Sequence, residues 1–423
     1  MKPKLTKIGK ALSSRSGIVE LMDDLGAAMA GDGSSSIHML GGGNPAGIAE
    51  VQAVWRRRLA EILADVPLCD RMLANYDAPA GNPRFRESFA ECLRLTYGWD
   101  VHRDNIAVTC GGQTAFFFLF TLLAGEMSDG GQRRILLPLV PEYIGYAQQG
   151  LSPGVFTSRR PRIEQLDEHT FKYRIDFKAL EVGPDIGAIC VSRPTNPTGN
   201  VLTDDEVEHL AQLAAAREIP LLVDNAYGEP FPAAVFEPIA PAWNPDITMT
   251  FSLSKLGLPG TRTGIVLAHE EIISRIRSMT GIVGLANNNI GQTIVEPLLT
   301  NGELLTLSRE VIRPFYKAKS EFARDVVAEH FGDDFPYLVH CSEGAFFLWL
   351  WFPELPITSH ELYQRCKNSG VLVVPGEYFF YGLDCNDDWP HQRQCIRMTF
   401  SQSEETVTQG IKIIADVLRE VHG

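Results

Sequence analysis

The stretch Ile186–Tyr227 reads IGAICVSRPTNPTGNVLTDDEVEHLAQLAAAREIPLLVDNAY, which is an apolar run, a polar turn, a helical pattern and a second apolar run. Ile186–Val191 and Ile219–Asp224 are apolar almost throughout, as is typical of strands buried on both faces of a sheet. Thr203 and Glu206 have the spacing of a capping box, so a helix is predicted between the two strands. This order predicts a parallel pair of strands joined by a crossover helix.

Four more apolar runs of strand length occur between helical patterns: Asn105–Thr109, Ile135–Val140, Ile247–Ser252 and Gly264–Ala268. Strands that alternate with helices predict an α/β fold, in which a mostly parallel sheet is flanked by helices. In such sheets, ligands bind beyond the carboxyl ends of the strands. The residues that follow each strand are therefore the candidates for a site.

The chain changes character near residue 300. A long charged helical pattern, Leu304–His330, precedes a second group of strand patterns: Ala345–Phe352, Val371–Val374 and Cys395–Phe400. The chain has 423 residues, which exceeds the size at which a single core usually stops growing. We therefore expect a large α/β domain at 50–305 and a smaller α+β domain formed by 1–49 and 306–423.

Composition and charge exclude several classes of protein. The net charge of −14 opposes binding to nucleic acid, and no block of lysine or arginine offsets it. The longest apolar run, Ala115–Gly125, is too short to cross a bilayer, and the N-terminus lacks the apolar stretch of a secretory signal. The eight cysteines are scattered without metal-ligand spacing. We expect a cytoplasmic protein with reduced thiols, no metal site, and no nucleic-acid or membrane partner.

Chemically distinctive residues follow the predicted strands one after another. They are Gly112 and Gln113, Tyr143, Asn196, Asp224 with Tyr227, and Ser252 with Lys255 and Arg262. Each has a plain structural explanation when taken alone, because glycine makes tight turns, tyrosine packs at surfaces, aspartate caps helices and lysine is usually solvated. Because all of them come after strands of one sheet, we expect them to meet at one edge.

The combination predicts a site for a flat anionic ligand. Cys110–Thr114 is followed by an apolar helix, so Gly112 and Gln113 lie near free N–H groups that can bind phosphate, and Arg262 adds a cation. Tyr143 offers a ring that can stack on the ligand. Asp224 ends an apolar strand, where a buried carboxylate needs a cationic partner such as a protonated ring nitrogen. Lys255 becomes a nucleophile when burial and cationic neighbours lower its pKa.

These residues resemble those of the fold-type-I aminotransferases that depend on pyridoxal 5'-phosphate (PLP). The order and spacing agree at Asn196–Gly199, at Asp224 followed by Tyr227, at Ser252–Lys255 and at Arg262, and the resemblance extends over nearly the whole chain. It implies a mostly parallel seven-stranded sheet in the large domain. It also implies PLP as the cofactor, amino acids and 2-oxo acids as substrates, and a homodimer.

Longer motifs narrow the resemblance to a subgroup that transfers the amino group of L-valine to pyruvate. These motifs are Leu40–Pro45, Asn75–Asp77, Pro141–Tyr146, Asp224–Gly228, Ser254–Gly260 and Phe347–Phe352. The implied reaction belongs to amino-acid biosynthesis and yields 3-methyl-2-oxobutanoate and L-alanine by a ping-pong mechanism.

The resemblance also implies a role for each matching residue. Lys255 would form the Schiff base with PLP and move the proton at the substrate Cα. Asp224 would pair with the pyridine nitrogen and keep it protonated. Arg397 would bind the substrate α-carboxylate with its fork-shaped guanidinium. The other implied contacts are Tyr227 and Asn196 with the ring 3'-oxygen, Tyr143 with the ring face, Gly112, Gln113, Ser252 and Arg262 with the phosphate, Gly42 and Asn196 with the substrate, and Tyr76 with the phosphate of the neighbouring subunit.

Several alternatives stay open at this point. Arg193 and Arg393 compete with Arg397 as anion partners. Gly111–Gln113 lacks the hydroxyl of better-known relatives, so its phosphate contacts would be backbone only. Packing in the core is the simpler explanation for four conceivable lining residues: Ile18, Val19, Phe117 and Tyr146.

The reaction and even the class of protein have competitors as well. The same cofactor residues serve PLP enzymes that eliminate at Cβ or remove CO2, so the residues alone do not separate these reactions. A transcription regulator built on this fold would need a basic DNA-binding domain ahead of it, whereas the family motifs begin by Gly41.

Overall fold

The structure of the protein, a computed structural model, describes residues 4–13, 17–30, 37–384 and 388–423. Three pieces of the predicted small domain, 1–3, 14–16 and 31–36, lie outside these ranges, as does Cys385. The helices are α1 (Lys7–Leu12), α2 (Gly17–Ala30), α3 (Ala49–Ala64), α4 (Val66–Ala74), α5 (Pro83–Tyr97), α6 (Gly112–Leu123), α7 (Asp204–Ala215), α8 (Glu270–Val283), α9 (Ile290–Thr300), α10 (Glu303–Thr306), α11 (Arg313–Phe331), α12 (Ser359–Asn368) and α13 (Glu404–His422). The strands are β1 (His38–Met39), β2 (Ile106–Thr109), β3 (Gly125–Glu126), β4 (Gln132–Leu137), β5 (Phe156–Ser158), β6 (Arg162–Gln165), β7 (Thr170–Arg174), β8 (Ile186–Ser192), β9 (Leu221–Asp224), β10 (Ile247–Ser252), β11 (Gly264–Leu267), β12 (Leu338–His340), β13 (Phe347–Trp351), β14 (Val371–Leu372), β15 (Val374–Pro375) and β16 (Cys395–Thr399).

The larger sheet has the strand order β2-β11-β10-β9-β8-β4-β3, and β5 also pairs with β4. The neighbours β10, β9, β8, β4 and β5 are parallel to one another, while β11 runs antiparallel to both β10 and β2. The predicted α/β fold with a mostly parallel sheet is confirmed. The sheet contains eight strands, where the resemblance implied seven. Seven of them follow one another from β2 to β3, and β5 is the eighth because it pairs with β4 beside β3.

The predicted strand-helix-strand unit is present as β8, α7 and β9. Every residue of β8 is buried, and β8 is parallel to β9, as the apolar runs predicted. The hydroxyl of Thr203 accepts the Glu206 N–H at 3.2 Å, and the Glu206 carboxylate accepts the Thr203 N–H at 2.8 Å. The capping box therefore fixes the point at which the chain leaves the β8 turn and enters the helix.

A second sheet has the strand order β15-β16-β13-β12-β7-β6. Its strands β6 and β7 come from the middle of the chain, inside the range 50–305, yet β7 pairs in parallel with β12. The predicted strand Val371–Val374 forms two short strands instead of one, because β14 pairs with β1 and β15 pairs with β16. The domain boundaries remain a prediction. Strand pairing places residues 162–174 in the same sheet as strands from the C-terminal part of the chain.

The long charged pattern Leu304–His330 is helical but not one regular α-helix. α10 passes through a π-helical turn, Leu307–Ile312, into α11. Pro314 lies in the first turn of α11, and its missing N–H and its ring are incompatible with regular α-helical hydrogen bonding to the preceding turn.

Within the described ranges, no helix is both long and apolar enough to span a membrane.

Candidate active site

The carboxyl ends of the parallel strands meet at one edge of the larger sheet. Ser192 of β8 and Thr250 of β10 both pair with Asp224 of β9, which brings the residues that follow these strands together. A cavity of about 640 Å³ opens at this edge. It is lined by all of the predicted site residues except Tyr76: Gly42, Gly112, Gln113, Tyr143, Asn196, Asp224, Tyr227, Ser252, Lys255, Arg262 and Arg397.

The carboxylate of Asp224 lies on the cavity wall and is held by three donors. Its Oδ1 accepts hydrogen bonds from the N–H of Ala226 at 3.0 Å and from the hydroxyl of Thr250 at 3.3 Å. Its Oδ2 accepts the hydroxyl of Tyr146. Removal from bulk water raises the pKa of Asp224, and the hydrogen bonds, led by that of Tyr146, oppose the rise.

Lys255 lies in a short turn directly after β10. The hydroxyl of Ser252 accepts the Ser254 N–H at 3.1 Å, and the turn ends at Gly257, whose φ of +87° suits glycine. The Lys255 Nζ donates to the carbonyl oxygen of Gly43 at 2.7 Å. Burial lowers the pKa of Lys255 to about 8, and the positive charge of Arg397 acts in the same direction. The turn thus presents an amine that is less basic than an ordinary lysine.

Arg397 projects from β16 of the second sheet into the same cavity. Its Nη1 donates to the side-chain oxygen of Asn196 at 2.9 Å, and its Nη2 donates to the carbonyl oxygen of Gly41 at 2.7 Å. The guanidinium carbon lies 4.2 Å from the ring centroid of Phe347. Burial lowers the pKa of Arg397 to about 10, and its Nε has no hydrogen-bond partner among the described residues. The side chain is therefore a fixed cation with a donor left for a ligand.

The two competing arginines lie elsewhere. Arg193 is buried and pairs with Asp204 at the first residue of α7. Arg393 pairs with Asp388, and both side chains are exposed. Neither arginine lines the cavity, so Arg397 is the one of the three that lies within reach of a ligand there.

An anion cradle forms where α6 begins. Gly111 precedes α6 and provides no side-chain cap, so the first N–H groups of the helix have no partner within it. The guanidinium of Arg262 lies over this point, because a Cβ on Gly111 would come within 2.3 Å of Arg262 Nη2. The side-chain amide of Gln113 donates to the carbonyl oxygen of Gly145 at 2.8 Å, which leaves its backbone N–H as the group available to an anion.

The residues present fit PLP. The hydroxyl of Tyr227 is buried and has no hydrogen-bond partner among the described residues. A buried phenol without a partner is costly, so its position suits a ligand oxygen. An anion cradle, a carboxylate, an amine and this hydroxyl surround one cavity, as the phosphate, ring nitrogen, aldehyde and 3'-oxygen of PLP require.

Two residues of the motif Pro141–Tyr146 have contacts that the sequence analysis did not identify. Tyr146 packs in the core, but its hydroxyl also donates to Asp224. Glu142 is buried, and its carboxylate accepts the N–H of Ser192 at 2.8 Å and the Ser192 hydroxyl at 2.7 Å. Burial raises the pKa of Glu142 to about 7. The signal in the sequence for such a buried acid was a glutamate two residues after the predicted apolar strand Ile135–Val140.

The N-terminal segment contributes to the cavity as well. Leu21 and Met22 of α2 and Met39 of β1 are among its lining residues. They had no predicted role, because nothing local in the sequence shows that α2 packs beside the turn Ile144–Tyr146, more than 100 residues later in the chain.

Tyr76 differs from the other predicted site residues. It follows α4, is 82% exposed and does not line the cavity. Any contact with a phosphate would therefore have to be made in a second subunit.

Comparison with known proteins identifies the family of the chain. The family model for aminotransferase class I and II matches residues 43–414. Valine–pyruvate aminotransferase of Escherichia coli K12 is 47% identical over 408 residues, which cover 96% of each chain.

Solved structures agree with this match. The valine–pyruvate aminotransferase of Salmonella typhimurium LT2 has a TM-score of 0.87 at 44% identity, covering 96% of this chain and 99% of that one. An amino-acid aminotransferase from Psychrobacter arcticum 273-4 has a TM-score of 0.96 at 41% identity, covering 100% of this chain and 99% of that one. Enzymes of the matched class depend on PLP. The chain belongs to the aminotransferase class I and II family, as the resemblance of its strand-end residues predicted.

Proposed function

We propose that this protein is a PLP-dependent aminotransferase that moves the amino group of L-valine to pyruvate, yielding 3-methyl-2-oxobutanoate and L-alanine by a ping-pong mechanism. The observation that carries the chemistry is the convergence of the Lys255 amine, the Asp224 carboxylate and the Arg397 guanidinium in one cavity. The choice of valine and pyruvate rests on the Escherichia coli and Salmonella relatives, which are named for that pair.

The cavity residues divide into two groups in this proposal. PLP, when bound, supplies an electron sink for the electron pair that remains at Cα when its proton leaves. The residues that would hold it are Gly112, Gln113, Ser252 and Arg262 at the phosphate, Asn196 and Tyr227 at the 3'-oxygen, Tyr143 on the ring face and Asp224 at the ring nitrogen. The others act on the substrate.

Lys255 moves the proton at the substrate Cα. With a pKa of about 8, its amine exchanges a proton readily near neutral pH, as a general base and acid must. Its Nζ is 5.1 Å from the ring centroid of Tyr227, so the amine and the phenol lie on the same side of the cavity.

Arg397 holds the substrate so that Cα faces Lys255. A planar guanidinium binds a carboxylate through two parallel hydrogen bonds, which fixes orientation as well as position. Asn196 and the backbone near Gly42 lie beside it, where they can contact the same carboxylate.

We also propose a homodimer in which Tyr76 of each subunit reaches the phosphate of the other. Exposed apolar side chains occur close to Tyr76 in the chain and in the segment 282–285, and we call them the apolar face: Leu73, Ile282, Val283 and Leu285. The two segments adjoin, because the side chain of Asn289 donates to the carbonyl of Asn75 at 3.0 Å and that of Asn287 donates to the carbonyl of Pro79 at 3.0 Å. Clustered exposed apolar side chains of this kind are typical of subunit contacts.

A cytoplasmic location is part of the same proposal. The seven cysteines among the described residues are free thiols, which suits a reducing compartment.

The test is to follow the two half-reactions separately with PLP-loaded protein. L-Valine without an oxo acid should release 3-methyl-2-oxobutanoate in an amount equal to the sites present, and pyruvate added afterwards should release a matching amount of L-alanine. Lys255→Ala protein is the control and should release neither. Absence of 3-methyl-2-oxobutanoate would refute the valine assignment, and ammonia formed from substrates with a leaving group at Cβ would favour an eliminating lyase instead.

A further inference from the structure

Tyr146 is fully buried beside the cavity, and its ring is held on several sides. The ring centroids of Phe116, Phe120 and Tyr143 lie 4.6, 5.2 and 5.2 Å from that of Tyr146. Its one polar atom donates to Oδ2 of Asp224. This packing fixes the direction of the hydroxyl, so the hydrogen bond to Asp224 is part of the rigid core.

The proton of this hydrogen bond belongs to the tyrosine. Burial and the neighbouring charge of Asp224 raise the pKa of Tyr146 well above its usual range, so the phenol does not ionise at physiological pH. Asp224 therefore receives a donor at Oδ2 in addition to Ala226 and Thr250 at Oδ1.

The bond matters because the cavity wall disfavours a charged carboxylate. Burial raises the pKa of Asp224, and the hydrogen bond from Tyr146 is the largest effect that opposes this rise. An ionised carboxylate attracts a protonated ring nitrogen, whereas a neutral carboxyl group does not. Removal of the Tyr146 hydroxyl would therefore weaken the attraction without touching either partner.

We propose that Tyr146 is a positioning residue for the cofactor, which keeps Asp224 ionised and turned toward the ring nitrogen of PLP. The inference rests on the proposed function, since it requires PLP in the cavity. Tyr146 acts through Asp224, so its contribution should depend on the ring nitrogen and on nothing else in the ligand.

The experiment compares two ligands on apoprotein. Equilibrium binding of PLP, and of an analogue in which a C–H group replaces the ring nitrogen, is measured for the wild type and for Tyr146→Phe. We expect the variant to bind PLP on the order of tenfold more weakly, as for loss of a hydrogen bond to a charged group. It should bind the analogue no more weakly than the wild type does.

Tyr363→Phe is the matched control. The Tyr363 hydroxyl is also buried and also donates to a carboxylate, that of Asp24, but neither residue lines the cavity. Removal of the Tyr363 hydroxyl should leave the ratio of the affinities for PLP and for the analogue unchanged. Melting of each apoprotein shows whether the variants are folded.

Each outcome decides the inference. If Tyr146→Phe lowers the affinities for PLP and for the analogue equally, Tyr146 only supports the cavity wall. If the affinity for PLP is unchanged, Asp224 does not depend on the Tyr146 hydroxyl. If Tyr146→Phe fails to fold, the test is repeated with 3-fluorotyrosine at position 146, which keeps the ring and makes the hydroxyl a stronger donor. The preference for PLP over the analogue should then rise, and an unchanged preference would refute the inference. Failure of the wild type to bind PLP would instead refute the proposed function.

Discussion

The amine of Lys255 is shaped by the side chains around it. Burial and the charge of Arg397 lower its pKa to about 8, while the opposite charge of Asp224 limits the fall. The ammonium form therefore predominates below that pH and the neutral, nucleophilic form above it.

We expect a distinct pH profile for Lys255 in the apoprotein. Its rate of trinitrophenylation, followed by peptide mass spectrometry, should rise between about pH 7 and about pH 9 and level off above, because the neutral amine is the reactive form. The same peptide in urea-unfolded protein is the reference and should follow the profile of an ordinary lysine, with a pKa of about 10.4. Matching profiles in the two states would contradict the role of burial.

Arg397 and Arg393 are two residues whose roles only the structure separates. Arg397→Lys keeps the charge but loses the planar fork, so we expect KM for L-valine to rise on the order of a hundredfold in steady-state assays. Arg393→Lys is the control, since the exposed pair with Asp388 contributes little, and KM should not change. A comparable rise in KM for Arg393→Lys would show that the carboxylate assignment is wrong.

At the scale of elements, the acidic side chains of α2 bind α12 and the helical turn that follows β15. Glu20 accepts the hydroxyl of Tyr378 at 2.9 Å, and Asp24 accepts Lys367 Nζ at 2.8 Å. Leu21, between them in sequence, is buried and lines the cavity. A Cβ on Gly41 would lie 3.5 Å from Leu21 Cδ1, and Gly41 is the residue whose carbonyl binds Arg397.

This geometry predicts that Leu21 contacts the side chain of the substrate. Leu21→Ala removes apolar surface, so kcat/KM for L-valine should fall by about tenfold, while that for L-alanine, whose side chain is too short to reach it, changes little. Asp23→Ala, an exposed change on the same helix, is the control. An equal loss for both substrates would mean that α2 does not contribute to selectivity.

Elements differ in how far the sequence predicts them. β8 was recognised because every residue in it is buried, which leaves an apolar run that ends only at Ser192. β10 is also buried throughout, and its polar residues are threonine and serine without any charge. β6 and β7 were missed because they mix charged and apolar residues, and β12, which pairs with β7, lies more than 150 residues away. Local pattern identifies a strand that is covered on both faces, but it does not show which distant strand a partly polar one will join.

At the scale of the whole molecule, the proposed homodimer makes a prediction about mixed subunits. Tyr76→Ala and Lys255→Ala proteins should each have little activity alone. Dimers that combine one subunit of each kind contain one site with both defects and one with neither, so refolding the two together should restore transamination of L-valine. The same variants refolded separately and then mixed briefly are the control. No gain on joint refolding would contradict the sharing of Tyr76 between subunits.

The sequence by itself determined the α/β fold, the family and a group of residues after the strands that line the cavity. It did so because each of those residues directly follows a strand or lies in a short motif, and the ends of parallel strands necessarily meet at one edge. The tertiary structure decided what depends on contacts between distant segments. It placed Arg397 in the cavity and Arg193 and Arg393 outside it, and it directed the Tyr146 hydroxyl to Asp224. Such contacts depend on how the second sheet, α2 and the turn after β4 pack together, and packing between segments far apart in the chain leaves no periodic trace in the sequence.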